Sequence, residues 1–211
     1  MNASTRGPGA EHEQRRRQIA DAVLAVTAER GLAAVTQSNV AARAGVSAGR
    51  VQHYFPTKRE MIEAAFDRGN ALSAARIAAR VGRAGAPRQV LTTVLTELIP
   101  HDAVTRTHLR VRQAFTALAL SDEDIAERMR RDYERFHGQV TDLLARGQDA
   151  GEVPRELDCR ERAVSLVALA EGLAYYVLVG IHSASEARER VLTEIAGTYA
   201  PVRGQAMPPL A

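Results

Sequence analysis

Residues 36–58, TQSNVAARAGVSAGRVQHYFPTK, decide how one end of this 211-residue chain folds. Ala41, Gly45 and Val51 stand four and then six residues apart. Two short helices crossing at a tight angle need that spacing: a small residue where they touch, a glycine in the turn, and a β-branched residue that plugs the second helix onto the first. Ser47 is a side-chain cap for the second helix, and Gly45 is free to take the left-handed backbone of a sharp helix stop. A helix-turn-helix of this kind reads DNA by laying its second helix, here Ala48–Tyr54, in the major groove.

The flanking pattern is helical. A first helix is expected over residues 11–30, with Ile19, Ala22, Val23, Val26 and Thr27 on one face and Gly31 as its stop. Arg15, Arg16 and Arg17 fall in its early turns, where the helix dipole disfavours cations. They suit either a solvated charge run or phosphate contact beside the recognition helix. A second helix covers 38–44. Thr57 and Glu60 form a capping box, so a long helix starts at Lys58 and reaches about Gly82, with Met61, Ile62, Ala65 and Phe66 facing inward. Residues 82–87 read as a loop, and Pro87 opens the next helix. Further helices are expected over 89–99, 103–119, 122–150, 159–181 and 185–199. No alternating β-type run competes with them. The fold class is therefore all-α with about nine helices. Residues 1–10 are expected as a disordered tail, 11–60 as a three-helix DNA-binding domain, 61–200 as a helical domain, and 201–211 as a second disordered tail.

Charge follows the same division. Residues 1–60 hold nine Lys or Arg against five Asp or Glu, a net of +4. The whole chain is +3, so the remainder comes to −1. The basic excess lies with the helix-turn-helix, as phosphate contact demands. Cys159 is the one cysteine, which excludes an intrachain disulfide and fits a reducing cytoplasm. The polar N-terminal ten residues do not read as a secretion signal.

Gly45-Val46-Ser47, then Gly49, then His53-Tyr54-Phe55, then Lys58 resembles the TetR family of bacterial transcription regulators. Glu29-Arg30-Gly31 and Thr36 also look like that family. One departure lies in the second helix, where Asn39-Val40-Ala41 stands in place of the more usual Ile-Ala pair; Val40 and Ala41 keep the inward volumes. The resemblance implies that Ala48, Gly49, Arg50, Gln52 and His53 face the groove. Arg50 can donate a fork of hydrogen bonds to guanine, and Gln52 can pair with adenine. Ala48 and Gly49 permit close approach. Ser47, Tyr54 and Lys58 look like phosphate contacts, joined by Thr36, Ser38 and Arg43, which hold register without specifying sequence. Val51 and Phe55 belong to the core.

The resemblance further implies a sensing body. A small-molecule effector would enter a pocket among the helices, move the long helix after Lys58, and release a palindromic operator bound by a homodimer. Phe66, Arg112, Phe115, Tyr133, Phe136, Leu169, Glu171 and Tyr175 are candidates to line that pocket. Glu171 is a carboxylate amid apolar neighbours, suited to a cationic ligand or to a partner such as Arg112. Residues 163–181 carry only this one charge. They approach the length of a membrane span, but a helix apolar all round is better read as buried on both sides. With residues 185–199 it resembles the two C-terminal helices through which TetR subunits dimerise.

No GxSxG, HExxH, CxxC or phosphate-cradling loop appears, so an enzyme is not expected. His101 and His108 are seven residues apart, but nothing completes a metal site around them. The sequence implies neither a metal nor a cofactor. The competing function is a DNA-binding protein without a small-molecule effector, constitutive or controlled by a protein partner.

Overall fold

Caps and stops written in the sequence set where the helices begin and end. A computed structural model describes residues 8–82 and 85–199, and among these the chain forms nine α-helices and no strand. They are α1 (Pro8–Arg30), α2 (Gln37–Ala44), α3 (Ala48–Tyr54), α4 (Lys58–Val81), α5 (Pro87–Glu97), α6 (Ala103–Ala119), α7 (Glu123–Asp149), α8 (Cys159–Val179) and α9 (Ala184–Thr198), with a 3-10 turn at Leu32–Ala34. Side chains of Thr36, Ser47, Asp102, Asp158 and Ser183 accept the orphan amides of the helices they precede. Two of these caps, Asp102 with Thr105 and Ser183 with Glu186, are reciprocal.

α1 starts three residues ahead of the position expected from sequence. Pro8 has a torsion already suited to the first helical position and no amide to leave unpaired there. The expected tail over residues 1–10 therefore loses 8–10 to α1; residues 1–7 and the expected tail at 201–211 lie outside the described residues. α8 ends at Val179, two residues before Ile181, because Gly180 takes the left-handed conformation.

The helices gather into two compact units. One comprises the chain up to Ala79 together with Pro100–Arg131; the other comprises Arg80–Ile99 and the chain from Asp132 onward. Compactness thus divides the chain differently from the motif boundary at residue 60, and the reason is visible in the first unit. Its main core joins Ile19, Val23 and Val26 of α1 to Val40, Val51, Phe55, Met61 and Ala65, and Val111 of α6 belongs to the same cluster. A second cluster centres on Ile62, Phe115 and Ile125. There Phe66 stacks on Phe115 with ring centroids 4.1 Å apart. The Arg128 guanidinium lies 5.3 Å from the Phe115 ring and also bonds Glu63 and Asp67.

In the second unit α8 packs against both α9 and α5. Its inner face buries Ala163, Leu166, Val167, Ala170, Leu173, Ala174 and Val177. Gln148 of α7 closes the following loop by donating to the carbonyls of Pro154, at 2.7 Å, and Leu157, at 3.0 Å. Buried Glu97 is satisfied by Arg80 at 2.9 Å.

Phe115 is wholly buried and holds a stacked ring, so Phe115→Ala leaves a cavity. Urea unfolding followed by circular dichroism is expected to show a stability loss of about 3–5 kcal/mol. A loss under about 1 kcal/mol would mean that this cluster is not sealed.

Candidate nucleic-acid interface

α2 and α3 are too short to persist alone, so their ends are pinned by side chains. Thr36 accepts the Asn39 amide at 3.2 Å, and Ser47 accepts the Arg50 amide at 3.2 Å. Between them Gly45 has φ 66° and ψ 36°, and its amide donates to the Ala41 carbonyl. The Val46 amide donates to the same carbonyl at 3.1 Å. That left-handed residue ends α2 and redirects the chain. Val51 points inward and is fully buried, with Phe55 1% exposed behind it.

The opposite face of α3 is open. Ser47, Ala48, Gly49, Arg50, Gln52 and His53 are exposed and Tyr54 is half-buried. Ser47, Arg50, His53 and Tyr54 line a shallow cleft of about 370 Å³. Thr36 and Ser38, at the start of α2, are exposed as well. Lys58 is exposed at the first position of α4, where Thr57 and Glu60 exchange cap bonds of 2.8 and 3.1 Å. Arg43 is exposed but bonded to Glu29 at 3.1 Å. Gly49 sits in the first turn of α3, and a Cβ there would meet nothing within 4 Å in the chain.

Four polar residues, Gln18, Arg30, Gln37 and Asn39, help to fix this geometry. Gln18 of α1 donates to the Ala44 carbonyl at the end of α2, at 2.8 Å. Gln37 donates to the Pro56 carbonyl beyond α3, at 2.8 Å. Asn39, the departure from the family pattern, donates to the Ala34 carbonyl at 2.8 Å and accepts from Arg30 at 3.2 Å. Asn39 and Arg30 carried a sequence signal, since both fall in stretches compared with the family pattern. Gln18 and Gln37 join positions 26 and 19 residues apart and are of a type common on any surface.

The pocket candidates divide between the units. Phe66, Arg112 and Phe115 belong to the first, and Phe115 is core. Tyr133, Phe136, Leu169, Glu171 and Tyr175 belong to the second. There the Tyr133 hydroxyl donates to the Glu171 carboxylate at 2.8 Å. Tyr175 is 47% exposed on α8. Leu169 lines an open groove of about 610 Å³ between α8 and α9. Another open cleft, of about 660 Å³, is bounded by Arg88, Gln89, Thr92 and Tyr199. The Arg76 guanidinium donates to His108 Nδ1 at 3.2 Å, and no group of three His, Cys, Asp or Glu side chains gathers for a metal among the described residues. Burial pushes the Cys159 thiol up, away from the reactive thiolate.

This arrangement defines a helix-turn-helix DNA-binding protein. Residues 19–65 match the model of bacterial regulatory proteins of the tetR family, and residues 87–200 match that of the BetI-type transcriptional repressor C-terminal domain. The chain belongs to the TetR family of transcriptional regulators. It is 29% identical over 169 residues to the HTH-type transcriptional regulator PksA of Bacillus subtilis (strain 168), covering 80% of this chain and 81% of that one. To the regulator BetI of Burkholderia cenocepacia it is 31% identical over 166 residues, covering 76% and 80%. Its fold matches a transcriptional regulator from Rhodococcus sp. Rha1 with a TM-score of 0.71 at 28% identity, over 87% of this chain and 95% of that one. It also matches a protein from Saccharomonospora viridis crystallised in complex with choline, with a TM-score of 0.76 at 25% identity, over 87% and 96%.

Gly45→Ala forces a side chain into the left-handed region at the turn. Denaturant unfolding is expected to show a loss of about 1–2 kcal/mol. An unchanged midpoint would mean that the turn relaxes to another backbone.

Proposed function

We propose that this repressor binds a palindromic operator as a homodimer and that a small molecule releases it. The observation that carries the DNA half is the two-sided α3: Val51 is wholly buried while Arg50, Gln52 and His53 stand exposed. Arg50 and Gln52 read base edges, with His53 facing the groove beside them; Ala48 and Gly49 let the helix approach; Ser47, Tyr54, Lys58, Thr36 and Ser38 hold phosphates, with Arg43 joining when its exposed pair to Glu29 opens. Exposed pairs of that kind contribute little to stability, so the exchange is cheap.

The dimer reading rests on α8. Val164, Ala168, Gly172, Tyr175 and Val179 recur on its exposed side at spacings of four, four, three and four. A Cβ on Gly172 would meet nothing within 4 Å in this chain. An apolar stripe with small residues at its centre suits a helix of a second copy packed close, with Ala196 and Gly197 of α9 alongside. α8 is long and apolar enough to cross a membrane by composition, but its inner face packs on α5 and α9. We read the chain as a cytoplasmic binding protein and not as an enzyme.

The effector reading is supported by the choline-bound structural relative. A quaternary ammonium ion is the first ligand class to test, with the Tyr133–Glu171 pair as the anionic group that would receive it. Isothermal titration with choline, repeated on Glu171→Gln, checks this; equal affinity for both proteins would remove Glu171 from the site.

Binding to the preferred duplex and to random DNA separates the roles at the head. Arg50→Ala is expected to lose about 1–3 kcal/mol on the preferred duplex and little on random DNA. Lys58→Ala is expected to weaken both alike. Equal losses for Arg50→Ala would remove it from base recognition. Gly172→Arg is expected to sediment as a monomer, and a dimer that survives it would place the interface elsewhere.

A further inference from the structure

His12 and Arg16 stand four residues apart, on one face of α1, and both reach the end of the recognition helix. The His12 ring centroid is 4.7 Å from that of Tyr54. The Arg16 guanidinium lies 4.8 Å from the centre of the Phe55 ring. Their neighbours are engaged within α1: Arg15 donates to Gln18 at 2.7 Å, and Arg17 pairs with Glu13 at 3.2 Å. Arg16 is exposed and forms no ion pair among the described residues. Tyr54 lines the cleft with Ser47, Arg50 and His53, so His12 abuts that same cleft. His12 and Arg16 both precede residue 19, where the family match begins.

Arginine is a flexible side chain that loses rotamer freedom when it binds. A guanidinium already laid on a buried ring has given up much of that freedom beforehand, and its planar fork of N–H donors matches the oxygens of a phosphate. We propose that Arg16, with His12 beside it, forms a second phosphate-contact site, so that the head grips the DNA backbone through α1 as well as through α2–α4. The proposal rests on the DNA-reading function of α3. It separates the three consecutive arginines of α1 by position: Arg16 lies over the Phe55 ring at the end of the recognition helix, while Arg15 and Arg17 bond within α1.

The test is a salt titration of full-length protein on its preferred duplex and on random DNA, with thermal unfolding of each variant alongside. Each phosphate contact contributes about 0.9 to the slope of log affinity against log salt, so Arg16→Ala in a dimer is expected to lower the slope by about 1.8 on both DNAs. Arg16→Lys keeps the charge and is expected to retain most of the slope while binding more weakly at fixed salt. His12→Ala is expected to weaken both DNAs alike. An Arg16→Ala protein with the wild-type slope overturns the proposal, even if its affinity falls, because a stacking contact that only stabilises the head leaves the slope untouched. Wild-type protein that prefers no duplex would instead sink the DNA reading itself and this site with it; the two failures are told apart by which protein shows them.

Discussion

α3 has seven residues, and a helix that short has no stability of its own in water. Everything the protein does to DNA depends on two side chains that hold it down, Val51 and Phe55, both essentially without solvent exposure. Full burial of a side chain of this kind contributes about 1.5–3 kcal/mol, and it is available only where the receiving surface is already formed. That surface is built by α1, α2 and the start of α4, with Val111 of α6 in the same core. The outward face of α3 is thus free to carry residues chosen for a ligand, because the inward face and the capped ends fix its position. Gly49, a glycine no contact in the chain requires, is what such freedom permits.

α4 follows the recognition helix directly, and its first turns are tied within the same unit. Arg59 bonds Glu63 and Asp122, while Arg128 bonds Glu63 and Asp67 and lies over the Phe66 and Phe115 rings. Isolated surface ion pairs are weak, but a connected, partly buried set resting on aromatic rings resists sliding. A small molecule that repositions α4 must carry this network along as a rigid piece or break it. Its affinity for the DNA-incompetent state must exceed its affinity for the other by about 1.4 kcal/mol for each tenfold loss of operator binding.

Much of this was legible in the sequence. The helix-turn-helix was, because its turn, cap and plug are local: Gly45, Ser47 and Val51 act within a few residues of themselves, and α3 runs over the seven residues expected. The start of α4 followed the capping box of Thr57 and Glu60 for the same reason. What could not be read were ties between distant positions, such as Gln18 to Ala44 or Arg16 to Phe55, since a glutamine or arginine on a helix looks alike whether it faces water or a neighbour. The pocket was read least well. Aromatic residues in an all-helical chain do not declare whether they line a cavity or fill a core; Phe115 fills one, and Glu171 found its partner in Tyr133.

The proposal that α3, held by its buried side, reads DNA from two symmetry-related copies is tested most directly by selecting bound sequences from a random duplex pool with purified protein at physiological salt. Enrichment of a palindrome, its half-sites centred about one helical turn apart or a multiple of that, is the predicted result. Folded, dimeric protein that enriches no sequence, or only a single half-site, would contradict it.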